Sequence, residues 1–440
     1  MKKMKSALLC AFLAFSVLLL SSCSIMALSG SYNNGADYMT EGDVRKLIEG
    51  IEENITVNAG DNYNVNIDSN GNQNLLAASR GVLSAVSIRC DFDVVNVYPP
   101  SLFNPGASTS GTETSYGSGV IYKLNKTTGS AYIITNYHVV YLDSASTSDH
   151  ISDDIKVYLY GQDQDQTKND GSELEYAINA KYIGGSMDYD IAVLEVKNSD
   201  VLRESMAVAA TFADSNEVAV LDTAIAIGNA EALGISATVG AVNVDSEYIS
   251  MLSVDEKSAI ALRVMRIDAA VNGGNSGGGL FNDKGEVIGI VNAKLADSAI
   301  DNIGYAIPSN VAKYIADNII YYNDLDSNND AVYRAMIGVS VDANNYGVKY
   351  DTETGKVIKV EDVVVATVSA LSAADGKLNV GDRIKSVTVD GTDYEILRSF
   401  NVIDVMLTAR KTSSVIFHVV RGGVDIDVTI DMSNIQLTKA

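Results

Sequence analysis

The stretch VNGGNSGGGLF, residues 271–281, places one serine, Ser276, inside a run of glycines. Glycine loses more conformational entropy on folding than other residues, so such a run is expected where the backbone needs positive φ angles or approaches another group closely. The stretch is therefore either a tight structural turn or a segment that lets a substrate reach the backbone beside a reactive hydroxyl. Other parts of the chain have to distinguish these two interpretations.

The bulk composition limits the partners of the protein. The chain has 440 residues, enough for two or three domains, and its hydrophobic content of 47% is enough to form cores. A net charge of -24 argues against nucleic acid as a partner, because phosphate binding needs a basic face. The simplest explanation of the negative charge is a solvated surface whose charges repel one another, rather than a special acidic function.

The N-terminus has the pattern of an export signal. Three lysines within the first five residues precede a short apolar run at residues 7–20, which is long enough for a signal peptide and short for a membrane span. LSSC, at residues 20–23, resembles a bacterial lipobox. That resemblance implies that residues 1–23 carry a lipoprotein signal, with cleavage before Cys23 and a lipid on its sulfur. The alternative is an ordinary signal peptide with an incidental cysteine.

The cysteine count argues against disulfides and cysteine-based metal sites. The chain contains only Cys10, Cys23 and Cys90. If the lipobox is used, Cys90 has no intramolecular partner and is expected to be a small core residue. We predict that the protein uses no metal and no cofactor.

The pattern of apolar residues divides the chain into successive parts. Residues 24–77 read as a polar tether with one short helix, where Val44, Leu47, Ile48 and Ile51 have helical spacing. Residues 78–323 contain many short apolar runs between turn signals, which predict an all-β sandwich or barrel. The runs are GVLSAVSI, GSGVIYKL, AYIITNYHVV, IKVYLYG, DIAVLEV, EVAVLDTAIAIG and EVIGIVNA.

A helix and a linker follow this part. PSNVAKYIADNIIYY predicts a helix that begins near Ser309 or Asn310, and the polar NDLDSNND marks a domain boundary. Residues 333–437 form a second, smaller unit of strands. It contains a helix candidate, NVIDVMLTAR, and a final pair of strands around RGG, which reads as a hairpin turn.

The histidines narrow the choice of a base for Ser276, since a serine nucleophile needs a group that takes its proton. The chain has three histidines. His138 ends an apolar strand, where it is either a core residue with its hydrogen bonds made or the catalytic base. His150 reads as a solvated loop residue, and His418 as a half-buried strand residue. Asp190 precedes the strand IAVLEV, with Asp188 as a nearby competitor for the same role.

The pattern G-x-S-x-G at residues 274–278 is also found in the nucleophile elbow of α/β-hydrolases, which is an alternative interpretation of this stretch. That elbow needs a helix after the serine and the chain order serine, acid, histidine. Here a turn and another strand, LFNDKGEVIGIVNA, follow, and His418 beyond the linker is the only later histidine. The elbow interpretation therefore fails on context.

The order His138, Asp190, Ser276 fits the double β-barrel serine peptidases instead. TNYHVV, DYDIAVLEV, AIGNAEALGISATVGAV, RIDAAVNGGNSGGGLFNDKGEVIGIVNA and NIGYAIPSN resemble the successive motifs of the HtrA (Do/Deg-like) family of trypsin-fold serine proteases. The resemblance implies a mostly β chain: a double β-barrel protease domain at residues 78–323, followed by a PDZ-like domain at residues 333–437.

The same resemblance implies the catalytic roles. Ser276 would attack the scissile carbonyl, His138 would carry the proton, and Asp190 would orient the imidazole. The N–H groups of Gly274 and Ser276 would form the oxyanion hole. The S1 pocket would be lined by residues 290–294 and by the loop before that strand. No acidic residue occurs at the base of the pocket, which argues against a basic P1 residue, and the resemblance implies a small or medium aliphatic one.

Three features depart from the family pattern. Gly273 and Gly279 stand where the family usually has proline, and both changes are expected to loosen the loop, so the sequence leaves open whether the oxyanion hole is formed at rest. Residues 244–265 replace the family's regulatory loop with a different sequence. Activation signals therefore cannot be carried over from the family.

In the smaller unit, RAMIGVSV resembles the carboxylate-binding loop of a PDZ domain. The N–H groups of Ile337, Gly338 and Val339 would hold a peptide C-terminus while the peptide adds a strand to the sheet edge. The alternative is a small β domain that only packs on the protease.

The expected function is that of a lipid-anchored serine endopeptidase outside the cytoplasm, on the cell surface or in the periplasm, which cleaves misfolded exported proteins. The family resemblance implies a homo-oligomer, a trimer, in which residues 98–116 form a loop between subunits. The rival hypothesis is a chaperone or peptide sensor on the same fold, with an idle or conditionally active site.

Overall fold

A computed structural model describes residues 73–98, 107–162, 176–293, 303–352, 354–433 and 435–439. Asn72–Ala440 form one compact unit. The predicted signal peptide, Cys23 and the helix around Val44 lie outside the described residues, as does the predicted tether up to residue 72.

The first half of this unit is a closed six-stranded barrel with the strand order β1-β2-β3-β6-β5-β4, and its neighbouring strands are antiparallel. Alternating apolar side chains point inward, so that Ile88, Val157 and Leu194 are almost fully buried in its core. The strands are β1 (Ala85–Tyr98), β2 (Ala107–Asn125), β3 (Ser130–Thr135), β4 (Asp154–Leu159), β5 (Ile178–Ser186) and β6 (Ile191–Val196).

A second closed barrel follows, with the order β10-β11-β12-β9-β8-β7. Leu280, Ile288 and Val242 lie in its core. A further apolar cluster joins Ile134 of the first barrel to Phe281 of the second, which confirms the predicted double β-barrel. The strands are β7 (Thr223–Gly228), β8 (Ser236–Leu252), β9 (Ala259–Ile267), β10 (Gly279–Phe281), β11 (Val287–Val291) and β12 (Gly304–Pro308).

The described helices are few. They are α1 (Gln73–Ser84), α2 (Tyr137–Val140), α3 (Asp200–Glu204), α4 (Ser309–Leu325) and α5 (Ser399–Val405). The predicted start of α4 at Ser309 is confirmed, and its face formed by Val311, Ile315 and Ile319 is buried against the barrels.

The prediction of a strand over GVLSAVSI is wrong in its first half. Residues 81–84 end helix α1, and β1 begins only at Ala85. The helix presents Ala77, Gly81 and Ser84 as one buried face at intervals of three to four residues. A Cβ on Gly81 would lie 2.3 Å from Ile227 Cδ1, so the glycine lets the helix pack closely on the second barrel.

The prediction over EVAVLDTAIAIG is also only half right, because the strand β7 begins at Thr223. Two carboxylates close turns upstream of it. Asp214 accepts a hydrogen bond from the Asn216 N–H at 2.8 Å, and Asp222 accepts one from the Ala219 N–H at 2.9 Å. These side-chain bonds compete with strand pairing.

The segment predicted to be a loop between subunits is instead a regular hairpin in its described part. Strands β1 and β2 stay in antiparallel register from Ala85 opposite Val120 to Tyr98 opposite Ala107. The expectation of a loop over residues 107–116 is therefore wrong, and residues 99–106 lie outside the described part.

The C-terminal part contains a two-stranded sheet, β13-β20, and a larger sheet with the order β14-β15-β16-β18-β19, in which β17 pairs with β16. Gly422 and Gly423 turn the last hairpin with φ angles of 59° and 84°, as the RGG prediction required. The strands are β13 (Tyr333–Met336), β14 (Val339–Tyr350), β15 (Val357–Val368), β16 (Arg383–Val389), β17 (Thr392–Glu395), β18 (Val415–Arg421), β19 (Val424–Ile430) and β20 (Gln436–Lys439).

A buried ion pair joins this part to the second barrel. Arg263 on β9 pairs with Asp404 on α5, and its guanidinium lies 4.0 Å from the centre of the Phe400 ring. Burial raises the pKa of Asp404 above its ordinary value, while Arg263 and Arg334 oppose that shift. Removing one member of such a pair typically destabilises a protein by about 3–5 kcal/mol, so this contact fixes α5 on the barrel.

Candidate active site

His138 is positioned by a short helix rather than by a strand. Strand β3 ends at Thr135, and α2 then turns the chain so that His138 faces the start of β6. The prediction that His138 ends the strand is therefore wrong by three residues. Its side chain is 17% exposed, which leaves one edge of the ring open to a substrate.

Asp190 is the partner of His138. Its Oδ2 lies 2.7 Å from His138 Nδ1, and its Oδ1 accepts a hydrogen bond from the His138 backbone N–H at 3.0 Å. Because a carboxylate only accepts hydrogen bonds, Nδ1 carries the proton and Nε2 is left as the acceptor. Asp188, the competitor considered from sequence, is exposed to solvent.

The backbone at Asp190 is unusual as well. Its φ angle of 49° lies in the left-handed region, which aspartate enters more readily than most residues. The side chain is fully buried. This turn aims the carboxylate back toward α2, which explains why the residue directly before β6 reaches His138.

Asn292 is a residue of the site that the sequence analysis missed. Its Nδ2 donates to Asp190 Oδ2 at 2.7 Å, and its side chain is fully buried. Asn136 donates in the same way to the Asp190 backbone carbonyl at 2.7 Å. Asn292 follows β11, so its contact with Asp190 crosses from the second barrel to the first. The only sequence signal was a polar residue directly after the apolar run VIGIV.

Ser276 lies next to this network, with 5% of its surface exposed. Its Oγ accepts a hydrogen bond from the Ala293 N–H at 3.2 Å, and between these described residues no hydrogen bond joins it to the His138 ring. Ala293 is the neighbour of Asn292, so two consecutive residues form hydrogen bonds with Ser276 and with Asp190. Nucleophile–base bonds are often long without substrate and tighten in the complex.

The loop around Ser276 leaves two donors open. Among the described residues, the N–H groups of Gly274 and Ser276 donate to no acceptor, whereas the N–H groups of Asn275, Gly277 and Gly278 all donate to carbonyls. These two open N–H groups are the ones predicted for the oxyanion hole.

The orientation of the first open donor follows from its neighbour. The Gly273 carbonyl accepts a hydrogen bond from the Glu231 N–H at 2.8 Å. Carbonyl and N–H point in opposite directions in a trans peptide, so the Gly274 N–H faces away from Glu231.

The glycine run now has a physical explanation. Gly274 and Gly277 have φ angles of 87° and 84°, which L side chains rarely adopt. A Cβ on Gly274 would lie 2.2 Å from the Asn229 carbonyl oxygen, and one on Gly277 would lie 2.2 Å from the Ser118 carbonyl oxygen. The run therefore forms a sharp turn that packs closely against the backbone of Asn229 and Ser118.

The two glycines that depart from the family pattern differ from each other. A Cβ on Gly273 would have no atom of the described residues within 4 Å, so their packing does not require a glycine there. Gly279 instead lies in β10, which is paired with β7 and β11, and a Cβ there would lie 2.4 Å from Phe281 Cε2. The expectation that Gly279 loosens the loop is therefore wrong, because it makes room for a buried ring.

The predicted S1 strand is described only in part. Residues 290–293 are buried, and Lys294 lies outside the described residues. The described part supplies no carboxylate that could bind a basic side chain, since it consists of Ile290, Val291, Asn292 and Ala293.

Of the predicted peptide-binding residues, Ile337 and Gly338 directly precede β14 and Val339 is its first residue; β14 is the edge strand of the larger sheet. The Gly338 carbonyl accepts a hydrogen bond from the Ser369 N–H at 2.8 Å. The Ile337 carbonyl accepts one from the Ala374 N–H at 3.1 Å. Both bonds tie the start of β14 to the turn that follows β15.

The remaining histidines and Cys90 lie elsewhere. His418 is half-buried, as predicted, and its Nδ1 lies 2.7 Å from Asp427 Oδ1. His150 is not simply solvated, because its ring packs against Tyr141 with centroids 5.8 Å apart. Cys90 is fully buried in the first barrel, as predicted, and burial raises the pKa of its thiol. Among the described residues, no cluster of histidine, cysteine or carboxylate groups could hold a metal ion.

Comparisons with known proteins agree with this geometry. Residues 117–290 match the family model described as a trypsin-like peptidase domain. The double barrel and the site thus define a trypsin-like peptidase domain.

Several relatives are named as Do-like HtrA proteases. The chain is 36% identical over 245 residues to "Serine protease Do-like HtrA" of Bacillus subtilis, covering 55% of this chain and 46% of that protein. It is 27% identical over 395 residues to the protein of the same name from Lactococcus lactis subsp. cremoris, covering 86% and 88%. It is 33% identical over 276 residues to "Periplasmic serine endoprotease DegP" of Escherichia coli, covering 62% and 48%.

The matched part of the chain is therefore similar to HtrA/Do-type serine proteases. The chain spans about half the length of the Bacillus subtilis and Escherichia coli relatives that it matches. Within the described part of the chain, no helix has the length and apolar character needed to cross a membrane.

Proposed function

We propose that the protein is an HtrA-like serine endopeptidase that cleaves unfolded or misfolded exported proteins. One observation carries this proposal: the His138–Asp190 pair is linked through the neighbours Asn292 and Ala293 to Ser276, whose loop keeps two backbone N–H groups open. An oriented base, a serine hydroxyl and two unpaired donors are the groups that acyl transfer requires.

The reaction follows from these positions. Ser276 Oγ attacks the scissile carbonyl as its proton moves to His138 Nε2, and the carbonyl oxygen becomes an oxyanion held by the N–H groups of Gly274 and Ser276. The C–N bond then breaks as His138 delivers the proton to the leaving amine. Water, deprotonated by His138, releases the acyl group by the same steps. Asp190 holds the imidazole in the required tautomer throughout and stabilises the imidazolium.

The smaller C-terminal unit is proposed to be a PDZ-like domain at residues 333–437 that binds peptide C-termini. The position of Ile337, Gly338 and Val339 at the start of an edge strand supports this assignment, because an added peptide strand needs a free sheet edge. The lipobox-like LSSC and the periplasmic relative support an exported protein that is anchored to the membrane through Cys23. A homo-oligomeric, trimeric assembly belongs to the same proposal.

A second candidate function is a conditionally active chaperone or peptide sensor on the same fold. The observation that favours it is that Ser276 Oγ accepts a hydrogen bond from the Ala293 N–H and, among the described residues, forms none with the His138 ring. In this interpretation, peptide binding would have to reorient Ser276 before cleavage starts.

Cleavage of unfolded casein by the full chain in detergent tests both candidates. We expect cleavage by the wild type and none by Ser276→Ala, while Ser309→Ala, which removes another buried serine hydroxyl remote from the loop, should cleave like the wild type. Cleavage only after C-terminal peptides are added would favour the conditional enzyme. No cleavage under either condition would contradict the protease proposal.

A further inference from the structure

Ser118 is a buried polar residue that the mechanism above does not use. It lies on β2 of the first barrel and is fully buried. Nevertheless, its hydrogen bonds reach the loop of the second barrel that carries the nucleophile. Since buried polar groups must be hydrogen-bonded, these bonds fix the residue and its partners relative to each other.

The contacts of Ser118 are all short. Its Oγ donates to the Gly274 carbonyl at 2.7 Å and accepts from the Asn229 N–H at 2.7 Å. Its backbone N–H donates to the Ser276 carbonyl at 2.8 Å. Its own carbonyl accepts from Thr135 Oγ1 at 2.7 Å. One residue of the first barrel thus holds two carbonyls of the nucleophile loop.

These bonds fix the peptide planes on either side of the open donors. The Gly274 carbonyl sets the plane between residues 274 and 275, and the Ser276 carbonyl sets the plane between residues 276 and 277. Asn229, held by the same hydroxyl, lies two residues before Glu231, which holds the Gly273 carbonyl. With all three carbonyls engaged, the N–H groups of Gly274 and Ser276 are left to face the substrate.

We infer that Ser118 is a positioning residue for the oxyanion hole, and this inference rests on the proposed protease function. Its hydroxyl touches no reacting atom. It restrains Gly274, whose lack of a side chain would otherwise let the peptide plane rotate. A preorganised hole stabilises the transition state because its donors need no reorientation when charge develops.

The test compares Ser118→Ala with Ser309→Ala in the full-length protein. Ser309 is a matched control, because it is also fully buried and its Oγ donates to a backbone carbonyl, that of Ala213, at 2.7 Å. Ser118→Ala loses the two hydrogen bonds of its hydroxyl and Ser309→Ala loses one, so both variants should unfold at a lower temperature than the wild type.

The two variants should differ in catalysis. For Ser118→Ala we expect kcat on a peptide substrate to fall roughly 10- to 100-fold with KM unchanged, somewhat less than the loss of a hole donor itself. The affinity for a peptide boronate, whose tetrahedral adduct on Ser276 places an oxygen in the hole, should fall in proportion. Ser309→Ala should keep the wild-type kcat and boronate affinity.

Several results would overturn the inference. If Ser118→Ala keeps the wild-type kcat, or loses only as much as Ser309→Ala, the residue is merely structural. If Ser118→Ala does not fold, Ser118→Cys, which keeps a weaker donor of similar size, should show a reduced kcat, and a wild-type value would equally contradict the inference. A wild type that neither cleaves nor binds the boronate would refute the protease function itself, and this inference with it.

Discussion

The two barrels contribute to the site in different ways. The first barrel supplies His138 and Asp190, and the Asp190 carboxylate accepts hydrogen bonds from the His138 ring, the His138 backbone and Asn292. The second barrel supplies Ser276 on a loop that leaves the N–H groups of Gly274 and Ser276 open. The carboxylate that orients His138 thus accepts three hydrogen bonds. Under the proposed function, the loop of Ser276 keeps its donors free for charge that arises only during the reaction.

Each barrel also holds the catalytic group of the other. Asn292 of the second barrel donates to Asp190, and Ser118 of the first barrel donates to the Gly274 carbonyl. The two barrels therefore have different roles in one site, and neither barrel forms the site alone. Substitutions on each side should separate these roles.

The largest expected effect lies in the first barrel. Asp190→Asn should lower kcat by about 10⁴-fold, because the asparagine amide favours the wrong imidazole tautomer while the fold is kept. The measurement is steady-state cleavage of a peptide substrate. Asp188→Asn, which removes the exposed neighbouring carboxylate, is the matched control and should keep the wild-type kcat. Equal losses in both variants would mean that Asp190 has no specific role.

The next effect lies in the second barrel. Gly274→Ala should lower kcat by about 10²–10³-fold, since a Cβ 2.2 Å from the Asn229 carbonyl oxygen must displace the loop and its donor. Single-turnover kinetics would separate this loss from any change in binding.

The control for Gly274→Ala is Gly391→Ala. Gly391 has a φ angle of 85°, close to the 87° of Gly274, but a Cβ on it would have no atom of the described residues within 4 Å. This control should cost about 1–2 kcal/mol of unfolding free energy from backbone strain and leave kcat unchanged. A Gly274→Ala protein with wild-type kcat would contradict the assignment of its N–H to the hole.

The smallest effect concerns the bond that crosses between the barrels. Asn292→Ala should lower kcat/KM by about ten-fold, because a hydrogen bond to a charged group contributes about 1.5 kcal/mol or more. Asn318→Ala is the control: this asparagine is also fully buried, and its Nδ2 donates to two backbone carbonyls at 2.7 Å, away from the site. It should lower the unfolding temperature but not kcat. If Asn292→Ala also lowered the unfolding temperature but kept the wild-type kcat/KM, Asn292 would have only a packing role.

Most of the fold and the principal residues of the candidate site could be predicted from the sequence, because both produce patterns within short stretches of the chain. Strands repeat as apolar runs between turns, and His138, Asp190 and Ser276 each stand in a recognisable motif. Helix α1 was missed because GVLSAVSI is apolar enough for either a strand or a helix. Its helical face became evident only from the packing of Gly81 on Ile227.

The supporting residues could not be predicted, because their contacts are distant in sequence. Ser118 and Gly274 are 156 residues apart, and Asn292 and Asp190 are 102 residues apart. A buried serine in GSG or an asparagine after an apolar run has no local pattern that names its partner. The role of Gly279 was misjudged for the same reason, since the ring that fills its space becomes visible only when β10 pairs in the barrel.

The bonds of Ser118 and Asn292 have a consequence for the order of events during folding. Domains of this size generally fold as units, the N-terminal one first. A chain in which only the first barrel has folded has a base without a nucleophile, and its Asp190 lacks the Asn292 donor. Conversely, a second barrel folded alone lacks Ser118 to hold Gly274. Under the proposed function, the complete site therefore forms only after the barrels dock, and we expect a chain that is still folding to be unable to cleave its own unfolded segments.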